Sequence, residues 1–219
     1  MEKYVTTEAS KIKRGAKRAS YDKATVFQIL DDHFICHIPY VYEDTPISIP
    51  TIYARFQETL YIHGAMGNRM LNSIASLPQT SITVTHLDGL VLARSAFHHS
   101  VNYRSVVVFG KPRVVISEKE KNKALELIVE HMAKGRWEEI RVPNEKEIKI
   151  TQVLALDITE ASAKIRQGPP VDDQEDYDLE LWAGVVPVKT IYEKAVPDPD
   201  LKFALDTPTS VKKLTENDK

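Results

Sequence analysis

The stretch IPTIYARFQETLYIHGAMGNRM, residues 49–70, decides the fold class of this protein. A run rich in β-formers at 46–54 is followed by a turn and by a second such run at 58–63. Two glycines then lead into a helix that should begin at Gly67 or Asn68. The stretch therefore predicts paired strands that end at a helix.

Further strand-forming runs surround this stretch, and turn residues separate them. The early runs are 33–41, 46–54, 58–63, 80–86, 89–95 and 104–116, and we interpret 151–158 and 181–188 as closing strands. Glu43-Asp44-Thr45-Pro46 and Asp88-Gly89 are hairpin signals, so successive strands should pair antiparallel. The pattern predicts a mainly β protein with peripheral helices, built as an antiparallel barrel.

Two helices are predicted beside the barrel. Ser20 or Asp22 can cap the first, because both side chains accept a hydrogen bond from a backbone N–H in the first turn. Ser117 followed by Glu120 has the pattern of a capping box and begins a second helix over 118–132.

The chain of 219 residues, 42% of them hydrophobic, fits one domain with appendages. We divide it into an N-terminal arm (1–20), a barrel (21–190) and a C-terminal tail (191–219) whose last ten or so residues we expect to be mobile. Five basic residues within 11–18 predict a solvated arm, and a phosphate-binding role is the alternative.

Charge and cysteine content narrow the class of protein. The formal net charge of -2 provides no global attraction to nucleic acid or to an anionic membrane. Cys36 is the only cysteine, so neither an intrachain disulfide nor a thiolate metal cluster can form. No signal-peptide pattern and no apolar run long enough to span a membrane is present, so we expect a cytoplasmic protein.

The helix start after the second strand run has the outline of an anion site. Free N–H groups, the positive end of the helix dipole and the side chain of Arg69 could together hold a phosphate, although glycine near a strand end is also ordinary turn chemistry. Alternation along 49–55 places Thr51, Tyr53 and Arg55 on one face, which is either half-exposed or directed at a ligand.

Two later segments offer further candidates. Arg104 enters a strongly β-forming run and is either solvated or in contact with a cofactor. His98 and His99 suggest zinc or haem, but neighbours on a strand point to opposite faces, so we predict no metal site. Trp182 lies in a late strand, in the core or beside a ligand.

These segments, in this order and spacing, resemble the FMN-binding split barrel of the pyridoxamine 5'-phosphate oxidase-like superfamily, in the flavin-nucleotide-binding branch related to nitroimidazole-resistance proteins. The likeness runs from about Lys13 to Val188 and includes LDGLVLARSAFHHSVNYRSVVVFG (87–110) and LWAGVVP (181–187). It implies an antiparallel split β-barrel that forms a homodimer, with FMN at the subunit interface.

The resemblance also implies which residues bind FMN. The isoalloxazine ring would lie along 49–53, with backbone groups and Tyr53 facing it, and Asn68 and Arg69 would lie at the phosphate. The implied set is Ile49, Pro50, Thr51, Tyr53, His63, Gly64, Asn68, Arg69, Arg104, Ser105 and Trp182.

One departure from the true oxidases argues against their activity. Their late strand supplies an arginine and a histidine to the substrate, whereas this chain has Ala183-Gly184-Val185-Val186 there, so we do not expect oxidation of vitamin B6. We expect an FMN-dependent oxidoreductase that takes electrons from NADH or NADPH to a small, flat acceptor. The alternatives are a flavin-binding or sensing module without turnover, and a scaffold that binds no flavin. Catalytic residues stay unassigned; the groups to inspect for proton transfer are His63, His98, His99 and Tyr103.

Overall fold

The computed structural model describes residues 2–216, which form eight strands and five α-helices. The strands are β1 (Ala19–Ser20), β2 (Ile35–Tyr42), β3 (Thr45–Phe56), β4 (Thr59–Ala65), β5 (Thr80–Leu92), β6 (Ser100–Val114), β7 (Thr151–Arg166) and β8 (Gly184–Pro187). The helices are α1 (Lys23–Asp31), α2 (Arg69–Ala75), α3 (Glu118–Met132), α4 (Glu145–Ile150) and α5 (Thr209–Glu216).

The strands close into an antiparallel barrel. Their order is β1-β7-β4-β3-β2-β5-β6, and β6 pairs back with β7, so six strands form a ring with β1 and β8 outside it. All registered strand pairs are antiparallel. The predicted fold class, mainly β with peripheral helices, is confirmed.

One of the two hairpin signals is a turn and the other is not. Glu43 and Asp44, with φ of 46° and 60°, connect β2 to β3 as predicted. The prediction of a turn at Asp88-Gly89 was wrong, because β5 runs through it and only shifts register between Leu87 and Gly89. Pairing with β6 on one side and β8 on the other keeps this segment extended.

The barrel is closed by β7, which is longer than the predicted run 151–158. Residues 151–157 of β7 pair with β4, and residues 154–166 pair with β6. One strand therefore joins these two neighbours. The prediction that 181–188 closes the barrel was wrong. Only Gly184–Pro187 is a strand, and it pairs with β5 at Gly89–Leu92, outside the ring.

The main hydrophobic core fills the barrel, because alternate residues of every strand point inward. A second cluster lies under α3 on the outer face of β3, β4 and β7. The largest fully buried side chains include Tyr53, Ile29, Leu30, Ile38, Leu60, Leu71, Ile74, Ile82 and Leu154.

The helix caps follow the sequence closely. Asp22 accepts a hydrogen bond from the N–H of Thr25 at the start of α1, and α3 spans Glu118–Met132 as predicted. Ser117 caps α3, but Glu120 bonds to Arg113 and Tyr61 instead of completing a capping box. A complete box between Asn144 and Glu147 begins α4, which the sequence reading missed.

Contacts attach both the N-terminal arm and the C-terminal tail to the rest of the described residues. Tyr4 is buried in the barrel core and its N–H donates to Tyr21 O at 2.9 Å, so the arm is anchored, while most of 11–18 is exposed as expected. At the other end α5 is attached through Ser210, which is buried and bonds to Glu139. The segment whose mobility was expected thus includes a helix up to Glu216, its mobility stays a prediction, and residues 217–219 lie outside the described part.

Candidate functional site

The predicted flavin strand has its aromatic side chain on the inner face. Tyr53 is fully buried, and its hydroxyl donates to Leu30 O at 2.5 Å. The register of β3 with β4 places Tyr53 opposite the buried Ile62, so its side chain points into the core, and a contact between Tyr53 and a flavin stays a prediction. Thr51 likewise pairs with the buried Cys36, whereas Pro50 is exposed. The side chain of Ile49 packs against the barrel core.

The end of β4 brings His63, Gly64 and Asn68 together. Burial lowers the pKa of the half-buried His63, so its imidazole is neutral near pH 7, and its buried Nδ1 has no hydrogen-bond partner among residues 2–216. Gly64 leaves little room for a side chain, since a Cβ there would lie 3.0 Å from both Asn68 Nδ2 and Leu71 Cδ1. The glycine lets the helix start pack against the strand.

The predicted helix start is confirmed at Asn68, whose Oδ1 accepts from Leu71 N–H at 3.0 Å. The Asn68 carboxamide therefore caps α2. Arg69 is exposed and its guanidinium stacks on Tyr42, with Cζ 4.4 Å from the ring centre. Phosphate binding by Arg69 stays a prediction, because no bound anion tests it.

Arg104 and Ser105 point to opposite faces of β6. Arg104 forms ion pairs with Asp88 (Nη2 to Oδ1, 3.0 Å) and Asp32 (Nη1 to Oδ2, 2.5 Å). Ser105 lies on the outer face, and its Oγ donates to Lys164 O at 3.4 Å. One subunit cannot therefore present both side chains to the same surface of a ligand.

A groove of about 700 Å³ beside Arg104 contains two histidines that the sequence reading missed. The rings of His33 and His86 lie 5.3 Å apart, and His86 Nε2 is 2.9 Å from Ile29 O. Burial and the neighbouring His86 lower the pKa of His33. No local motif joins these residues; only the pairing of strands far apart in sequence brings them together.

The His98-His99 pair is not on a strand. Residues Ala96–His98 form a 3-10 turn before β6, so the premise that strand geometry separates the two rings was wrong. His98 Nε2 lies 3.2 Å from Asp173 Oδ2, and Asp176 completes a group whose potential ligand atoms all lie within 4.8 Å of one another. His99 Nδ1 instead faces Ser95 O at 3.0 Å. Both carboxylates of this group are on the 172–178 loop, which the sequence reading treated only as a connection.

The same loop is attached to the end of β5 by Asp172. Its buried carboxylate accepts from the N–H groups of Arg94 and Ser95 and forms an ion pair with the Arg94 guanidinium at 3.2 Å. Trp182, beyond this loop, is 70% exposed and lies against Gly184. The alternative that Trp182 belongs to the core is therefore wrong.

Comparison with known proteins identifies the family. The family model described as pyridoxamine 5'-phosphate oxidase matches residues 22–165 of this chain. The chain belongs to this family. No curated protein gives a match.

Solved structures extend the likeness of this pyridoxamine 5'-phosphate oxidase family member to almost its whole length. It is similar to the flavocytochrome Anf3 from Azotobacter vinelandii, with 35% identity, 95% of this chain and 97% of that chain covered, and a TM-score of 0.90. It is also similar to the FAD and heme binding protein from Mycobacterium smegmatis, with 32% identity, 90% and 97% covered, and a TM-score of 0.85.

The likeness to the nitroimidazole-resistance branch is confirmed at the level of the fold. A putative 5-nitroimidazole antibiotic resistance protein from Bacteroides thetaiotaomicron matches at 19% identity over 67% of this chain and 86% of that one, with a TM-score of 0.57. The split barrel predicted from the sequence is thus the fold of this family member. None of its described helices is long and apolar enough to cross a bilayer.

Proposed function

We propose that this protein is a flavin-dependent electron-transfer protein. The observation that carries the proposal is its 35% identity, over 95% of its length, to a flavocytochrome with the same split barrel. A flavin can exchange one or two electrons, and the protein then has to hold it and admit a partner molecule to one face of its ring.

The proposed flavin site lies around the β3, β4 and α2 corner. The exposed edge at Pro50 and the backbone of 49–53 would support the ring system, and Arg69 would meet the phosphate with its exposed guanidinium. Gly64 suits this corner because, without a side chain, it adds no atoms to the surface beside His63. We propose FAD in preference to FMN, since the similar protein from Mycobacterium smegmatis is described as binding FAD.

We also propose that the protein works as a homodimer with the flavin at the subunit interface. Large apolar side chains are exposed around β5, β6, β8 and the loop that follows β7, and a partner subunit would cover such a surface. Among them are Phe97 (87%), Trp182 (70%), Val171 (69%) and Leu181 (54%). Phe97→Ser together with Trp182→Ser should shift the mass measured by light scattering from dimer to monomer; an unchanged mass would contradict this interface.

Haem is a second proposed cofactor, because the two most extensively matching relatives above are described as a flavocytochrome and as an FAD and heme binding protein. The residues fit an imidazole-ligated haem at one position. His63 is neutral and half-buried, and its buried Nδ1 has no hydrogen-bond partner in the described part of the chain, whereas both ring nitrogens of His131 face backbone carbonyls. We therefore propose His63 as a haem ligand.

The electron donor is proposed to be NADH or NADPH and the acceptor a small molecule or the haem. A module that binds flavin without turnover is the alternative, since the substrate clamp of the true oxidases is absent at Ala183 to Val186. Anaerobic addition of NADH or NADPH to the flavin-loaded protein separates the two. Bleaching of the flavin absorption supports the reductase, and persistent yellow colour supports the module.

Purification tests the cofactors directly. The protein should carry a flavin that can be released and identified by mass, and reconstitution with haem should give a Soret band. His63→Ala should remove or shift that band, while His99→Ala, a change at an exposed histidine, should leave it unaltered. A colourless protein that takes up neither FAD nor FMN would overturn the proposed function.

A further inference from the structure

The basic residues of the N-terminal arm line a cavity against the barrel. Arg14, Gly15, Ala16, Lys17, Arg18 and Lys164 surround a space of about 590 Å³. Gly15 adopts a left-handed conformation (φ 70°), which turns the arm back toward β7. The Lys164 Cε then lies 3.5 Å from where a Gly15 Cβ would be.

Positive charge in this cavity is not compensated by the protein. The lining contains four cationic side chains and no carboxylate. Over residues 2–216, no ion pair is found for Arg14, Lys17, Arg18 or Lys164, whereas Lys11 and Lys13 on the same arm both pair with Glu8. The concentration of charge contrasts with the net charge of -2 for the whole chain.

A buried arginine two residues beyond Lys164 on β7, which does not itself line the cavity, adds to the local positive charge. Arg166 is only 7% exposed, and its guanidinium bonds to Asn102 and to the carbonyl oxygens of Gly168 and Pro169, all of them neutral acceptors. Burial and the neighbouring Arg18 lower the pKa of Arg166. A buried cation without an anionic partner is costly, and a bound anion would offset that cost.

The place of the cavity in the fold suggests what the anion belongs to. Lys164 is registered with Ser105 on β6 and with Ala19 on β1, so the cavity adjoins the outer face that carries Ser105. Four to five cations exceed what a single monophosphate requires, and they match a diphosphate flanked by nucleosides.

We propose that this cavity binds the diphosphate group of a dinucleotide. The identity of that dinucleotide rests on the function proposed above, which offers two sources, FAD and the NADPH donor. In either case Arg18 and Lys164 donate charge-assisted hydrogen bonds to the phosphate oxygens.

Titration of the full-length apoprotein tests this assignment. Dissociation constants for FAD, NADPH and riboflavin are measured by fluorescence for the wild type, Arg18→Ala, Lys164→Ala and Lys164→Arg. We expect each alanine variant to bind one of the two dinucleotides about 10- to 100-fold more weakly, while its affinity for riboflavin is unchanged. Lys164→Arg should retain most of the affinity for that dinucleotide. Lys146→Ala, at an exposed position on α4, is the matched control and should bind like the wild type.

Each outcome decides a different point. A loss for FAD assigns the cavity to the flavin in place of the phosphate position proposed at Arg69, and a loss for NADPH assigns it to the donor. If both dinucleotides bind Arg18→Ala and Lys164→Ala as tightly as the wild type, the inference is overturned while the flavin proposal stands. If the wild type binds neither riboflavin nor FAD, the proposed function fails, and the NADPH arm still tests the cavity. Unchanged thermal midpoints show that the variants are folded.

Discussion

Asp172 holds the start of a long surface loop to Arg94 at the end of β5 through two backbone N–H groups and one ion pair. The loop carries Asp173 and Asp176 and leads to Trp182, so this attachment orients the whole segment beside β8. The bonded carboxylate is almost inaccessible to solvent.

Acid should release this attachment. Burial alone would raise the pKa of Asp172, but the N–H groups of Arg94 and Ser95 and the Arg94 guanidinium outweigh it, so the pKa is lowered. A lowered folded-state pKa contributes stability that is present above the ordinary pKa of about 4 and is lost as pH falls through the folded value. Asp172→Asn should lower the thermal midpoint at pH 7 and flatten its decline below pH 4. Asp178→Asn, at an exposed position in the same loop, should do neither.

Tyr53→Phe tests whether the β3 aromatic is structural. Because the hydroxyl is buried and bonded to Leu30 O, its removal should reduce the free energy of unfolding by about 1 kcal/mol and leave flavin affinity unchanged. Tyr177→Phe, at a half-exposed tyrosine, should leave stability unchanged. Denaturant unfolding measures the stability and fluorescence titration measures the flavin affinity. A loss of flavin affinity without a loss of stability would show that the Tyr53 hydroxyl contributes to flavin binding.

Gly110→Ala should damage the barrel where β6 meets β7. A Cβ at this position would lie 2.1 Å from the carbonyl oxygen of Asp157, a contact that requires the backbone to move. We expect a loss of about 3 kcal/mol in unfolding free energy, at the upper end for overpacking. Gly67→Ala is the control, since nothing lies within 4 Å of its Cβ position. Equal thermal midpoints for the two variants would contradict the close approach.

Arg69→Ala tests the phosphate position predicted from the sequence. The guanidinium is exposed, contacts Tyr40, is stacked on Tyr42 and has no carboxylate partner within residues 2–216, so its charge is not neutralised there. FMN affinity should fall about tenfold or more and riboflavin affinity should not change. Lys119→Ala, at an exposed site on α3, provides the control. Undiminished FMN affinity would refute the assignment.

Local signals in the sequence predicted the elements well. The caps at Asp22 and Ser117 and the turn at Glu43-Asp44 involve groups a few residues apart, so their chemistry can be read from the chain directly. The turn prediction at Asp88-Gly89 failed because the same residues also suit a β-bulge. Pairing with strands on both sides outweighed their turn preference.

The candidate site was less predictable, because it depends on which face of each strand is buried. A period of two sorts Thr51 and Tyr53 onto one side of β3 but does not say whether that side is the core. His33 and His86 meet only through strand pairing, and Asp172 reaches Arg94 only after the loop folds back.

The sequence by itself determined an antiparallel β-barrel with capped helices, since alternation, turn residues and caps act over short distances, and the resemblance of its longer segments indicated the family. Only the tertiary structure decided that Tyr53 faces the core and that the basic arm closes a cavity over Lys164. Those outcomes depend on register and on long-range burial of charge, where the energy of a side chain is set by residues far away in the chain.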